Sequence, residues 1–253
     1  MRLVYTLGLW GLFLIVALCP TISQATHVRA GEITTKRISQ TSLTYKITFT
    51  AYYDENPPPG GRDASNQAND YTICFGDGTT SNITRSSRVY INGRTSSVNS
   101  YTIVHTYPGP GTYTIGITVV NRNGGTVNLP PPSRSQEIAF FVSTTIYINA
   151  ALRTNSTPIM LNPPLDSGRV GQKFCHNPAA FDIDGDSLAY RLSVPKTAQA
   201  ETSCTGRNIA VYQDPTRFST ASETGGTPTF SINPTTGELC WDAPGQEGQY
   251  NFA

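Results

Sequence analysis

Between residues 43 and 53 the chain alternates without a break: Leu43, Tyr45, Ile47, Phe49, Ala51 and Tyr53 are apolar or aromatic, and Thr44, Lys46, Thr48, Thr50 and Tyr52 stand between them. A period of two puts one set on a buried face and the other on a wetter one, and the β-branched residues suit a pleated strand. A helix would scatter the same apolar residues around its whole circumference. The period recurs over residues 112–120, where Tyr113, Ile115, Ile117 and Val119 alternate mostly with Thr and Gly. Shorter strands are predicted at 71–75, 88–91, 101–106 and 137–148. Turn residues punctuate them: Pro57-Pro58-Pro59-Gly60-Gly61, Gly76-Asp77-Gly78, Pro108-Gly109-Pro110-Gly111 and Asn121-Arg122-Asn123-Gly124-Gly125. With no helical period in this half, residues 26–150 are expected to form an antiparallel sandwich.

A polar, Pro-rich stretch at 151–166 reads as a linker. Beyond it, residues 167–253 show a second set of short strands, predicted at 171–176, 188–194, 208–212, 229–232, 238–241 and 249–252, with Asn233-Pro234-Thr235-Thr236-Gly237 as a turn. The chain stops at Ala253 inside the last of these. A sandwich cut there lacks an edge partner, so the second module is expected to be truncated.

The first residues set the compartment. Met1-Arg2 is a short positive start, residues 3–18 are nearly all apolar, and Ser23-Gln24-Ala25 is a small-x-small site, the layout of a secretory signal peptide cleaved after Ala25. The apolar run is short for a span of about 20 residues and meets Pro20. Cys19 raises lipid attachment, but Leu18 stands where a small residue is wanted. A formal charge of +1 and no later apolar run point away from nucleic acid and from a membrane span after cleavage. The remaining cysteines, Cys74, Cys175, Cys204 and Cys240, fit no zinc or redox spacing, and in an exported chain disulfides are expected. Cys175 with Cys240 is favoured, since each sits in a strand-like stretch beside apolar residues and faces away from them. All three complete pairings stay open on sequence alone.

Asp182-Ile183-Asp184-Gly185-Asp186 crowds three carboxylates into five residues. One reading is a calcium site built on Asp182, Asp184 and Asp186, because hard cations take alternate Asp oxygens in flexible loops. The other is a turn in which the Asp side chains accept local backbone N–H groups and Gly185 supplies an unusual backbone angle. No Glu stands at the spacing of an EF-hand. Asp77, between two glycines, reads as a turn residue. His27, His105 and His176 lie in separate segments, none in a catalytic motif, so no enzymatic role is expected. Tyr52, Tyr53 and Tyr90 could stack on sugar if they share an exposed face, which leaves a carbohydrate-binding module as the competing reading.

Ile73-Cys74-Phe75-Gly76-Asp77-Gly78-Thr79, then His105-Thr106-Tyr107, then Pro110-Gly111-Thr112-Tyr113 resemble, in order and spacing, the motifs of the polycystic-kidney-disease (PKD) repeat, an immunoglobulin-like sandwich of surface proteins. Ile73 replaces the family's usual core Trp and Cys74 an Asp. The resemblance implies a scaffold without chemistry of its own, with His105 as a structural hydrogen-bonding residue. The run from Asn177 through Asp182, Asp184 and Asp186 to Tyr190, with Phe230, Asn233, Gly237 and Trp241, is similar to cadherin-like or Ig-like modules of bacterial surface proteins. With the start Thr26-His27-Val28-Arg29-Ala30-Gly31-Glu32-Ile33, this order resembles adhesion and gliding-motility proteins of the Bacteroidota. The fold class expected is therefore all-β, tandem immunoglobulin-like β-sandwich domains after a cleaved signal peptide. The resemblance implies a secreted, cell-surface structural or adhesive module, whose partners are other surface proteins or extracellular polysaccharide.

Overall fold

The computed structural model describes residues 27–56, 65–120, 122–129, 134–149, 155–220, 222 and 225–253. The leader-like segment with Cys19, the turn at Pro57 to Gly61 and the start of the expected linker lie outside them. The chain is all-β. Seven strands build two facing layers: β1 (Val28–Arg37), β2 (Thr44–Asp54), β3 (Asp70–Cys74), β4 (Thr80–Ile91), β5 (Ser96–Thr106), β6 (Gly111–Val119) and β7 (Phe140–Ile148). They are hydrogen-bonded in the order β1-β2-β5-β4-β3-β6-β7, every pair antiparallel.

β4 belongs to both layers. Its first residues pair with β3 and its later ones with β5, and the register shifts between Arg85 and Ser87 where it passes from one layer to the other. A bulge of this kind bends the strand and raises its twist. The alternating set of β2 points inward: Tyr45, Ile47, Phe49, Ala51 and Tyr53 are buried with Ile73, Ile83, Tyr101, Ile115, Ile117, Ile146 and Ile148 from the other strands. Full burial of a side chain of this size contributes roughly 1.5–3 kcal/mol. Phe49 stacks on Tyr101 and meets Tyr71 edge-on, and the Tyr53 hydroxyl is hydrogen-bonded to that of Tyr71. Tyr52 is also buried, at 6% exposure, although it belongs to the other set of the alternation.

β1, and the first half of β4, lie outside the strands expected. In β4 the stretch Thr80 to Arg85 is polar apart from Ile83, so one buried residue carries its inward face. In β1 a register shift between Val28 and Ala30 interrupts the alternation.

The rest of the described chain uses shorter pieces: β8 (Ile159–Met160), β9 (Phe174–His176), β10 (Ala180–Phe181), β11 (Lys196–Thr197), β12 (Arg207–Asn208), β13 (Phe230–Ile232) and β14 (Leu239–Trp241). β13, β14 and β9 form a three-stranded sheet, β8 pairs with β10, and the β11-β12 ribbon extends the large sheet beyond β7. Three expectations fail here. Residues 188–194 alternate in exposure like a strand but join no ladder; their backbone bonds run from Tyr190 N to Pro234 O and from Ser193 N to Ala253 O. Residues 249–252 form one isolated bridge, Gln249 to Thr126, and the strand expected at 208–212 is only the two residues of β12.

Aromatic packing organises this region: Trp241 meets Phe230 and Tyr250 edge-on, Phe252 packs on Phe230, and the Trp241 indole N–H donates to Ser219 Oγ at 2.7 Å. Among the described residues no helix is long and apolar enough to cross a membrane.

Candidate functional site

The turn after β3 is held from both sides. Gly76 (φ 86°) and Gly78 (φ 90°) take left-handed conformations, and a Cβ on Gly76 would lie 2.6 Å from Thr114 N and O, so glycine is required there for space as well as angle. Between them Asp77 Oδ1 accepts from Thr79 N (3.0 Å) and Thr79 Oγ1 (2.6 Å), while Oδ2 sits 2.7 Å from His105 Nε2. The His105 ring stacks on Phe75 with centroids 3.8 Å apart and stands edge-on to Tyr107, whose hydroxyl donates to Phe75 O. Burial alone would raise the Asp77 pKa; the Thr79 and His105 hydrogen bonds outweigh it and hold the carboxyl below its usual range. The Asp77–His105 pair is committed to fastening the β3-β4 turn onto β5.

Sequence reasoning missed a second polar cluster. Glu55 just past β2 has a fully buried side chain, and both of its carboxylate oxygens lie 2.7 Å from Arg88 Nη2. Ser65 Oγ donates to it at 2.6 Å and Ser97 also donates. Desolvation pushes the Glu55 carboxyl up, yet the bonds from Arg88, Ser65 and Ser97 bring the net shift down. Arg85 extends the network to Ser65 O, Asn69 and Asn99. Nothing in the local sequence marks Glu55, because its partners come from three separate strands and loops.

The acidic turn is satisfied locally. Asp182 is buried at 8% exposure and its Oδ1 accepts from Asp184 N (2.8 Å) and Asp186 N (3.2 Å), with Gly185 at φ 86°. Asp184 turns away and accepts from Ser156 N at 2.6 Å, which ties the turn to the segment running beside β1, where Thr157 N donates to Thr35 O. The three carboxylates are not brought together as a ligand set. Among the described residues no group of three or more His, Cys, Asp or Glu is placed to hold a metal.

The four cysteines among the described residues form two bonds, Cys175–Cys240 and Cys74–Cys204. In the first, the residues face each other across β9 and β14. The second spans 130 residues and joins β3 to the loop between β11 and β12, a pairing without any local signal.

The supposed sugar platform does not exist: Tyr53 is 0% exposed and Tyr52 is buried. Inward alternation accounts for Tyr53. Tyr90 alone is open, and the guanidinium groups of Arg88 and Arg94 lie 4.9 Å and 4.3 Å from the centre of its ring. Of the histidines, His27 precedes β1, with a pKa lowered first by burial, and His176 on β9 is 3.1 Å from Asp166; neither approaches His105 in a shared constellation.

A second unforeseen residue is Arg122, 1% exposed. Its guanidinium donates to Asn251 Oδ1 (2.6 Å) and Lys196 O (3.1 Å) and lies 5.1 Å from the centre of the Phe140 ring. No carboxylate among the described residues pairs with it, and burial pushes its pKa down to about 10. Asn128 and Asn251 exchange bonds beside it, Nδ2 to O at 2.6 Å and N to Oδ1 at 3.0 Å. This neutral-partnered guanidinium is the centre of the junction between the two regions.

Residues 39–128 match the family model of the PKD domain, a span that holds β2 to β6 together with Asp77, His105, Glu55 and Arg122. No curated protein and no solved structure matches the chain.

Proposed function

We propose that the chain is a non-catalytic structural or adhesive module of a secreted bacterial cell-surface protein. The observation that supports this most is the PKD match over 39–128 on an all-β frame whose charged and aromatic clusters are spent on fastening strands. Asp77 with His105 locks a turn, Glu55 with Arg88 locks the base of a loop, and two disulfides tie distant segments. Such bonds resist deformation, which is what a surface module under mechanical tension needs. Its partners are other surface proteins or extracellular polysaccharide, and its setting is the adhesion and gliding apparatus that the N-terminal motif and domain order resemble. The burial of Tyr52 and Tyr53 ranks a dedicated sugar-stacking role below the adhesive one.

The test is surface display. Residues 26–253 presented on a bacterium that lacks them should raise attachment to polysaccharide-coated beads or to neighbouring cells severalfold over display of an unrelated β-sandwich. Equal attachment for the two displayed proteins would overturn the adhesive reading.

A further inference from the structure

The loop between β11 and β12 lies on the outer face of the β3-β6-β7 layer, and few contacts hold it there. Thr118 Oγ1 donates to Ser203 O at 3.2 Å, Lys196 forms a single pair with Phe141 at the rim of β7, and Lys196 O accepts from Arg122 Nη2 at 3.1 Å. Gly206 passes directly over the Phe141 ring: a Cβ there would fall 2.1 Å from Phe141 Cδ1. Gly116 beneath it is also confined, though less tightly, since a Cβ would meet Phe141 Cζ at 2.9 Å and Cys204 O at 3.3 Å. The remaining tie is covalent, Cys74–Cys204, and its two ends differ. Cys74 is 3% exposed in β3, whereas Cys204 faces solvent on the loop.

We propose that the Cys74–Cys204 bond is a thiol-releasable latch on the strap formed by residues 196–208, and that opening it bares Phe141 and the outer rim of β7. The chemistry is ordinary exchange with a dithiol reductant. One reductant thiolate attacks Sγ of Cys204, the solvent-facing residue of the pair, forming a mixed disulfide there, and Cys74 leaves as a thiolate that takes up a proton. The second reductant thiol then displaces Cys204. Two electrons and two protons pass to the protein, and the dithiol ends as its own disulfide.

The other disulfide lacks this property. Cys175–Cys240 links residues of β9 and β14 already paired in a ladder, with Leu239 to His176 and Trp241 to Phe174 on either side, and neither end touches the strap, so cleaving it does not release residues 196–208. Release of the strap, by contrast, leaves the backbone of β7 around Phe141 without its only described outer neighbour.

Hydrogen exchange read by mass spectrometry tests this on the mature chain, comparing the oxidised protein with Cys74→Ala/Cys204→Ala and with Cys175→Ala/Cys240→Ala. The first variant should exchange at least about tenfold faster over residues 196–208 and around Phe141, with β2 and β5 unchanged. The second should leave the strap as protected as in the parent. An unchanged strap in the first variant overturns the latch, and so does loss of protection in β2 and β5 together with the strap, which would make the bond a global staple. Should the first variant fail to fold, the oxidised parent treated with dithiothreitol under native conditions gives the same reading against the same criteria.

Discussion

The two-layered unit and the region beyond residue 155 are held together by different means. In the first, β2 and β5 pair over eleven successive residues and the buried side chains of both layers interdigitate. In the second, the longest ladders are three residues, and a disulfide, an aromatic cluster around Trp241 and single backbone bonds make up the difference. Short ladders are marginal in water because few bonds offset the cost of ordering the chain. A small apolar core leaves cross-links more to do. The second region accordingly leans on the first: Arg122, Asn123 and Asn128 grip residues 249–251, and Thr157 docks on β1.

The largest test of that contrast is in the first unit. Phe49→Ala should remove about 3–5 kcal/mol from the unfolding free energy in urea, since the ring is wholly buried between Tyr71 and Tyr101. A loss under about 1 kcal/mol would show that the aromatic cluster is not the unit's keystone. Next, Cys175→Ser with Cys240→Ser should cost about 2–4 kcal/mol and strip exchange protection from β13 and β14 while β2 and β5 keep theirs. If β2 and β5 loosen as well, the regions unfold as one and the contrast fails.

Asp77→Asn should cost less, about 1–2 kcal/mol in the same urea assay, through a weakened bond to His105. The pH dependence follows from the same group. Asp77 and Glu55 titrate lower when folded than when unfolded, so between those values the unfolded chain binds more protons. Their stabilisation is complete above about pH 4.5 and lost as pH falls through the folded values. His27, also lowered, adds a loss of the same sign beginning below about pH 6.5. Melting temperature measured from pH 7 downward should therefore decline, and Asp77→Asn should flatten the acid limb; an unaltered limb contradicts the assignment. The smallest effect is expected from calcium. With Asp182 and Asp184 already accepting backbone N–H groups, millimolar calcium should leave the melting temperature in place. A rise of several degrees would return Asp182, Asp184 and Asp186 to the role of ligands and give the second region a brace that the first lacks.

The sequence announces a strand where one face is apolar throughout, which is why β2 and β6 are legible to within a residue or two. It is silent where burial rests on a single residue, as with Ile83 in β4, or where a bulge breaks the period, as in β1. It misleads at 188–194, because alternation reports which side of an extended chain is wet and says nothing of whether a neighbour is present to accept its hydrogen bonds. The turn at Asp77 could be read from its flanking glycines, and Cys175–Cys240 from matching strand contexts. Cys74–Cys204, Glu55 with Arg88, and Arg122 with Asn251 could not, since each joins residues that only the folded chain brings near.

One consequence of β4 concerns shear. A strand that is bonded to β3 along its first half and to β5 along its second acts as a rivet through both layers. Sliding one layer over the other must break two sets of hydrogen bonds at once, so the layers yield together or not at all. The corner at Arg85 is where the registers of the two layers meet, so a change of register there is carried into both.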